Sequence, residues 1–210
     1  MFIELVDALR CPATHEESWL VASATRMEAR HIVSGILGCP VCAAEYPVVD
    51  GVVEFRRERG PLQQSEPQPQ LDAMRVAAML DLSDATGFAV LLGQWGRVAI
   101  DLTGIVETPL ILVDPPAGIV GSPGISVLRC DGEIPLAAGA ARAIAIDAAS
   151  PTRARSAVRV TRTGGRVLAP VTIDVPAGVR ELARDAQLWV GEREPAASPI
   201  VTLHVRRGIA

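Results

Sequence analysis

The stretch Gly38-Cys-Pro-Val-Cys42-Ala-Ala-Glu-Tyr-Pro-Val-Val-Asp-Gly-Val-Val-Glu-Phe55 carries a metal-binding pattern and a hairpin pattern side by side. Cys39 and Cys42 have the Cys-x-x-Cys spacing that lets two thiolates bind one tetrahedral metal ion. The apolar run that follows is interrupted by Asp50-Gly51, a dipeptide typical of a two-residue hairpin turn. The stretch therefore predicts a small β-structured module built around a metal ion.

A third cysteine lies upstream and extends the candidate ligand set. Residues 2–10 have apolar side chains at helical spacing and predict a short helix, after which the chain reads Cys11-Pro-Ala-Thr-His15. A Cys-x3-His spacing allows both side chains to reach one zinc ion. The predicted zinc ligands are Cys11, His15, Cys39 and Cys42. With all four positions filled by protein, the ion stabilises the fold and binds no catalytic water. The alternative is a module without metal, in which His15 is an exposed loop residue.

Between the two cysteine groups, residues 19–27 and 30–38 alternate in polarity and predict the two strands of a hairpin. His31 lies within the second strand. A histidine in that position is more often a structural residue than a metal ligand.

Residues 2–55 resemble the zinc-ribbon family of methyltransferase activators, subunits that keep tRNA, rRNA and release-factor methyltransferases in working form. Short bacterial members share the order found here: an apolar helix, Cys-Pro, a hairpin, Cys-Pro-x-Cys and Tyr-Pro-x-x-Asp-Gly. The family has a second cysteine three positions after the first, where this chain has Thr14. Because these activators pair by a sheet edge with a methyltransferase domain, the resemblance implies a protein partner. That partner is either the chain's own second domain or a separate methyltransferase.

The rest of the chain predicts a second domain of another class. Residues 56–70 have no apolar period and are rich in Pro and Gln, which predicts an extended linker between domains at 1–55 and 71–210. The predicted strands are 88–92, 109–114, 125–131, 141–147, 165–171 and 200–206, and the predicted helices are 70–82, 96–106, 152–161 and 177–189. This alternation indicates a mainly parallel sheet covered on both faces, with a ligand crevice at the carboxyl ends of the strands. The predicted fold is an α+β zinc ribbon followed by an α/β doubly wound, Rossmann-like domain.

Two of the predicted helices carry side chains whose environment can be anticipated. Arg155, Arg159 and Arg162 lie at i, i+4 and i+7 on the helix 152–161, flanked by Arg153 and Arg166. Such a stripe can bind phosphates or an acidic partner, but we expect a solvated face. In helix 177–189, we expect Leu182 and Trp189 to pack inward.

Three passages of the second domain resemble class I S-adenosylmethionine methyltransferases. A strand ends in Asp114, where that family binds the ribose hydroxyls, and Asp131 stands where an acid lies near the adenine amine. Gly164-Gly165-Arg166 resembles the turn before the family's fifth strand. The resemblance implies that S-adenosylmethionine is the cofactor.

The chain also departs from that family at the cofactor loop. The first strand should end in an acid and a Gly-x-Gly-x-Gly loop, but here the sequence is Leu92-Gly93-Gln94-Trp95-Gly96. Two glycines remain, the acid is missing, and Trp95 stands where the cofactor needs room. An alternative register makes 79–87 the first strand and loop and 98–102 the second strand. Asp147-Ala-Ala-Ser lies where the family's catalytic motif is expected and does not match it, so no methyl-accepting site is identified. The candidate cofactor residues are Gly93, Trp95, Gly96, Asp114, Asp131 and Asp147.

Two functions follow from these observations. One is an active methyltransferase that carries its own activator ribbon, with an open pocket bounded by the candidate residues. The other is a non-catalytic, methyltransferase-like scaffold that binds a partner, with the pocket filled by its own side chains. The missing acid and the missing catalytic motif favour the scaffold.

Composition excludes several other classes. All 20 basic residues are arginine, which excludes a lysine Schiff base and a phosphate-binding loop with its lysine. A net charge of −4 and an aromatic content of 3% argue against direct nucleic-acid binding. No signal-peptide pattern opens the sequence and no run approaches the ~20 apolar residues of a membrane span, so we expect no membrane association. The metal-like cysteine spacing leads us to expect a cytoplasmic protein.

Overall fold

The computed structural model describes residues 1–57, 72–148 and 153–195, and one eleven-stranded sheet runs through them. The strands are β1 (Val21–Glu28), β2 (His31–Gly38), β3 (Glu45–Val49), β4 (Val52–Glu54), β5 (Ala89–Leu92), β6 (Leu110–Val113), β7 (Ile125–Arg129), β8 (Ala141–Ala145), β9 (Thr161–Pro170), β10 (Val179–Arg184) and β11 (Leu188–Arg193). The helices are α1 (Ala73–Met79), α2 (Ala99–Thr103) and α3 (Ala154–Val160), with 3₁₀ helices at Ile3–Ala8 and Gly93–Val98. The strand order is β1-β2-β3-β4-β7-β6-β5-β8-β9-β11-β10.

Strands β1 to β4 form an antiparallel module, with β1 and β2 where the alternation of residues 19–38 predicts a hairpin. The β3–β4 turn is Asp50-Gly51, with φ values of 49° and 75°. A tight hairpin turn that matches the twist of its strands needs positive φ at both central residues. The Asp-Gly pair therefore sets the register of β3 against β4.

The predicted helix 2–10 is instead a 3₁₀ helix at Ile3–Ala8. Six residues are too few to stabilise an isolated α-helix, and the segment is held by packing. Its buried Leu5 lies with Leu9 and Leu37 in the core beneath the antiparallel module.

Strand β4 also joins this module to the second half of the chain. It pairs in parallel with β7, in the register Val52↔Val127, Val53↔Leu128 and Glu54↔Arg129. The ladder continues with the Phe55 amide, which donates to the Arg129 carbonyl at 2.7 Å. Of the two partners implied for the ribbon-like module, the chain's own second half is therefore the one it contacts in this structure.

The second half contains a doubly wound sheet. Strands β7-β6-β5-β8-β9 are parallel. When the strands of this half are numbered along the chain from β5 as strand 1, their order in the sheet is 3-2-1-4-5. This is the Rossmann order, in which the ligand crevice lies beyond the carboxyl ends of the central strands. The hairpin β10–β11 completes the sheet, with β11 antiparallel to β9. The second half is therefore a mixed, mostly parallel sheet with the strand order of a Rossmann-like fold.

Both faces of the parallel strands are covered. In β5, Val90 and Leu92 belong to the core on the α3 side, whereas Ala89 and Leu91 belong to the core on the α1 and α2 side. All four side chains are fully buried. Burial on both faces explains why these strands appear in the sequence as continuous apolar runs.

The prediction of a helix at 177–189 is wrong, because this segment forms the hairpin β10–β11. The turn is closed by Asp185, whose Oδ1 accepts hydrogen bonds from the Gln187 amide at 2.7 Å and the Leu188 amide at 2.9 Å. Trp189 is fully buried, as expected, but Leu182 is 40% exposed on the outer strand β10. Val179, Leu182, Ala183 and Ala186 recur at i, i+3, i+4 and i+7, which is the apolar spacing of a helix.

The alternative register is also wrong, since the first parallel strand is Ala89–Leu92 and residues 98–102 are helical. The predicted strand 200–206 lies outside the described residues. Most of the predicted linker 56–70 lies outside them too, so the boundaries at 1–55 and 71–210 stay predictions. No helix in the described ranges is long and apolar enough to cross a bilayer.

The β4–β7 junction leads to a stability prediction. Val53, fully buried between β3 and β7, becomes an unpaired buried charge in Val53→Asp, which we expect to cost about 3 to 5 kcal/mol. Val49 lies in the same hairpin but is 53% exposed, so Val49→Asp should cost about 1 kcal/mol or less. Urea unfolding of both variants measures the difference. Equal losses would mean that β4 is not covered by β7.

Candidate metal and cofactor sites

Four side chains from separate parts of the antiparallel module meet at one end of it. Cys11 follows the first 3₁₀ helix, His15 lies in the next loop, and Cys39 and Cys42 flank the turn after β2. That turn is closed by two backbone hydrogen bonds between Cys39 and the residues Ala43 and Ala44. One donor atom from each of the four side chains lies within 4.8 Å of all the others. The structure thus brings together the four residues that the sequence predicts as zinc ligands.

The distances within this cluster suit a tetrahedral ion. Cys11 Sγ lies 3.7 Å from Cys42 Sγ, and Cys39 Sγ lies 3.5 Å from His15 Nε2. Zinc with bonds of about 2.3 Å to sulfur and about 2.0 Å to nitrogen has tetrahedral edges of roughly 3.8 and 3.5 Å. The two sulfurs are too far apart for a disulfide, whose S–S bond is about 2.05 Å. The cluster is compatible with zinc.

The groups around the cluster favour the metal-binding forms of His15 and Cys39. His15 Nδ1 lies 2.5 Å from the Glu16 carbonyl oxygen, which can only accept a hydrogen bond, so Nδ1 carries the proton. Nε2 therefore keeps the lone pair that can bind a metal ion. Burial opposes ionisation of Cys39, but hydrogen bonds from the Cys42 and Val41 amides and from neighbouring thiols outweigh it and lower the pKa of Cys39 to about 6. Cys39 is therefore largely a thiolate at neutral pH, which is the form that binds metal.

Tyr46 is a residue of this cluster that the sequence prediction missed. Its hydroxyl lies 3.2 Å from Cys11 Sγ. Burial, followed by the hydrogen bond to Cys11, raises the pKa of Tyr46, so the phenol stays protonated and donates to the sulfur. Burial also raises the pKa of Cys11, and the Tyr46 hydrogen bond acts against this increase. The sequence predicts that Tyr46 and Pro47 lie in a hairpin strand after Cys42. The spacing of Tyr46 from Cys11 along the chain gives no sign that the two side chains meet.

The candidate cofactor residues lie at the carboxyl ends of four parallel strands. Gly93 follows β5, Asp114 follows β6, Asp131 comes two residues after β7, and Asp147 comes two residues after β8. The doubly wound order therefore brings these separated positions to one edge of the sheet, where ligands bind in folds of this type.

At the centre of this edge, Asp147 contacts the loop Gly93-Gln94-Trp95-Gly96, called the glycine loop below. The Asp147 carboxylate accepts a hydrogen bond from the backbone amide of Gln94, and Asp147 is fully buried. Gly93 has φ of 52°, and a Cβ at this position would collide with the Asp147 carboxylate. Glycine is required here because the protein's own carboxylate occupies the space beside it.

The remainder of the loop is packed into the core. Trp95 is fully buried on the α1 and α2 side, and its Nε1 donates to the Ile146 carbonyl at 2.9 Å. A Cβ on Gly96 would lie 2.8 Å from Pro115 Cβ. Trp95 and Gly96 therefore hold the loop against neighbouring strand ends.

Asp114 is engaged on both carboxylate oxygens. Oδ1 accepts from the Cys130 amide at 3.1 Å, and Oδ2 accepts from Arg153 NH1 at 2.5 Å. Arg153 NH2 donates to the Cys130 carbonyl, also at 2.5 Å. Burial, assisted by the charge of Asp114, raises the pKa of Cys130 to about 12, so this thiol is neutral and unreactive. Asp131 is exposed, and its Oδ2 accepts from the Arg57 amide at 3.3 Å.

The arginine stripe near α3 is only partly the solvated face expected from the sequence. Arg155 and Arg162 are exposed, as predicted. Arg159, however, donates to the carbonyls of Ile134 and Leu136 at 2.9 Å each, and Arg153 reaches Asp114. Helical spacing shows which residues share a face but not which of them finds acceptors on a neighbouring loop.

Comparison with known proteins gives fold likenesses only. No protein-family model and no curated relative matches the chain. Similar solved structures include a complex between the Haloferax volcanii Trm112 methyltransferase activator and a protein proposed to be a methyltransferase (12% identity, 59% of this chain, 90% of that chain, TM-score 0.46). Another is the antibiotic-resistance methyltransferase Kmr (14% identity, 64% of this chain, 98% of that chain, TM-score 0.43). A third is the N-methyltransferase NodS from Bradyrhizobium japonicum WM9 (9% identity, 59% of this chain, 94% of that chain, TM-score 0.38). At these identities and TM-scores the likeness carries no argument about activity.

The contact between Gly93 and Asp147 can be tested by substitution. Gly93→Ala adds a methyl group in the space of a buried carboxylate, at a φ that alanine rarely adopts, and we expect a loss of about 2 to 4 kcal/mol. Gly164 has φ of 75°, but a Cβ there would meet no atom within 4 Å, so Gly164→Ala isolates the backbone term and should cost about 1 kcal/mol. Thermal and urea unfolding of the two variants give the comparison. Similar losses would show that Asp147 does not occupy the space beside Gly93.

Proposed function

We propose that this chain is a non-catalytic, methyltransferase-like protein that works by binding a protein partner. In this proposal, the Rossmann-like half does not take up S-adenosylmethionine, and a zinc-stabilised ribbon completes its sheet. The observation that carries the proposal is the Asp147 carboxylate, buried beside Gly93 and hydrogen-bonded to the Gln94 amide. A glycine loop in a Rossmann-like fold binds a ligand by letting the ligand approach its backbone. Here the Asp147 side chain occupies the space that a ligand would need beside that backbone.

The proposed metal role is structural. Three thiolates and one imidazole are the donors that zinc prefers, and four protein ligands leave no open position for substrate. Cys39 is part of the buried core, so an ion at this cluster would fix the end of β2 against the first 3₁₀ helix. Zinc binding would then contribute directly to folding of the module.

Two further contacts support closure of the crevice to cofactor. The acid after the second parallel strand, Asp114, already accepts a hydrogen bond on each oxygen, from the Cys130 amide and from Arg153. Trp95 packs into the core and ties the glycine loop to the end of β8. A bound nucleoside with a methionyl tail would have to displace both Asp147 and Arg153.

The second candidate is an active S-adenosylmethionine-dependent methyltransferase. It is favoured by the doubly wound strand order and by the meeting of Gly93, Asp114, Asp131 and Asp147 at one edge. It requires the buried side chains at that edge to move when cofactor arrives. Cofactor binding by the wild-type protein separates the two candidates.

The β4–β7 pairing restricts the partner. Because β4 is hydrogen-bonded to β3 on one side and to β7 on the other, it has no open edge for a separate methyltransferase. We therefore propose that the ribbon serves its own second half and that any other protein binds elsewhere. Unpaired thiols at all four cysteines fit a reducing compartment such as the cytoplasm.

The zinc assignment predicts a difference between two cysteine variants. We expect purified wild-type protein to contain about one zinc per chain and Cys39→Ser to lose it, with a marked fall in Tm. Cys130 is a buried cysteine away from the cluster, so Cys130→Ser should keep the zinc. Inductively coupled plasma mass spectrometry on the folded proteins measures this. Zinc loss in both variants, or in neither, would contradict the assignment.

The non-catalytic assignment predicts that S-adenosylmethionine and S-adenosylhomocysteine give no binding heat at millimolar concentration when titrated into zinc-loaded wild-type protein. The physical reason is that the Gln94 amide and the space beside Gly93 are already occupied by Asp147. Isothermal titration calorimetry is the measurement. Micromolar binding would favour the enzyme instead.

A further inference from the structure

We infer that Tyr46 couples the Cys/His cluster to the β4–β7 junction, so that metal binding and the pairing of the two halves of the chain stabilise each other. Tyr46 lies in β3 and contacts both places. Its hydroxyl is 3.2 Å from Cys11 Sγ, and its ring centroid is 4.8 Å from that of Phe55, with 43° between the ring planes. Phe55 follows β4, and its amide donates to the Arg129 carbonyl at 2.7 Å. One side chain therefore contacts a candidate metal ligand and the residue that extends the β4–β7 ladder.

The contact between the two rings fixes the position of the Tyr46 hydroxyl. Phe55 is 6% exposed and belongs to the core that both halves of the chain share, and Tyr46 packs against the same core. An aromatic pair of this kind changes an equilibrium constant by a factor of about three to ten beyond the effect of the area it buries. Because the hydroxyl is at the far end of the ring, a shift of the ring on Phe55 displaces it from Cys11 Sγ.

The hydrogen bond between Tyr46 and Cys11 depends on whether metal is bound. Cysteine binds zinc as a thiolate, and a hydrogen bond to a charged acceptor is about twice as strong as one between neutral groups. We therefore expect the Tyr46 hydroxyl to hold Cys11 Sγ more strongly in the zinc-loaded protein than in the metal-free protein. Such coupling is reciprocal, so the packing that positions the hydroxyl also strengthens zinc binding.

This inference rests on the proposed zinc site and extends it to the second half of the chain. None of the four candidate ligands lies in β4, which spans Val52–Glu54. A metal ion that only joined its own ligands would stabilise the end of β2 and the first 3₁₀ helix. Through Tyr46 and Phe55, the effect of the ion reaches the strand that pairs with β7.

The experiment measures zinc affinity by competition with a chromophoric chelator, in wild-type protein, Tyr46→Phe, Phe55→Leu and the double variant. Tyr46→Phe keeps the ring and loses only the hydroxyl, and we expect it to bind zinc about tenfold more weakly. Phe55→Leu keeps the hydroxyl but loosens the ring, and should bind zinc about threefold more weakly. Because Phe55 acts through Tyr46, the double variant should lose about tenfold in total, not the roughly thirtyfold expected of independent sites.

Cobalt substitution gives a second readout that a loss of stability alone does not produce. The energy of the sulfur-to-cobalt charge-transfer band depends on the hydrogen bonds that the coordinating sulfurs accept. Cys11 Sγ loses such a bond in Tyr46→Phe, so we expect the band to move to longer wavelength. In Phe55→Leu the hydroxyl is still present, and the shift should be smaller.

Val48→Ala and Thr25→Val are the matched controls. Val48 is buried in the same strand as Tyr46 but is paired with Val53, and Thr25 forms an exposed hydroxyl contact with Ser34. Both variants should keep the wild-type zinc affinity and cobalt spectrum.

Two results would overturn the inference. One is an unchanged zinc affinity and cobalt spectrum in folded Tyr46→Phe, and the other is a thirtyfold, additive loss in the double variant. Wild-type protein that binds no zinc would give a different result, because it would overturn the proposed metal role and this inference with it. Tm, measured for every variant, reports whether the protein is folded.

Discussion

The parallel pairing of β4 with β7 is the contact on which the rest of this structure depends. An isolated sheet edge leaves a row of backbone groups unpaired, and here two such edges satisfy each other within one chain. The pairing also joins two hydrophobic cores, because Leu37 and Val53 of the ribbon-like module share one buried cluster with Leu128 and Ile144 of the second half. The small module and the Rossmann-like half are therefore stabilised together.

The same pairing explains how the two candidate sites relate. The Cys/His cluster lies at the end of the module where β2 ends and β3 begins, and Cys39 connects it to the shared core. The carboxyl edge of the parallel strands lies at this same end, because β4 runs antiparallel to β3 and parallel to β7. That edge is occupied by the protein's own polar groups, above all Asp147 and Arg153. A crevice filled by the protein's own side chains is the basis of the non-catalytic role that we propose.

Those parts of the fold that depend on local signals could be predicted from the sequence. Cys39 and Cys42 indicate a metal-like turn by their spacing, Asp50-Gly51 indicates a hairpin turn, and the apolar runs indicate buried parallel strands. The contacts on which the proposed function rests are long-range. The Gln94 amide meets Asp147 across 53 residues, and Arg153 meets Asp114 across 39.

Such pairs have no periodic signal, because they arise only when the sheet order brings distant strand ends together. The hairpin β10–β11 shows the opposite difficulty, since its strands and turn together give apolar spacings that fit a helix equally well. Tyr46 is a third case: its position next to Pro47 suggests a strand, and only the packed module reveals its contact with Cys11.

Whether the protein's own side chains occupy the cofactor crevice is decided most directly by a crystal structure grown with zinc and millimolar S-adenosylhomocysteine. We predict metal density among Cys11, His15, Cys39 and Cys42, Asp147 on the Gln94 amide, Arg153 on Asp114, and no ligand density at that edge. Ligand density beside Gly93, with Asp147 turned away, would contradict this prediction and make the protein an S-adenosylmethionine-binding methyltransferase.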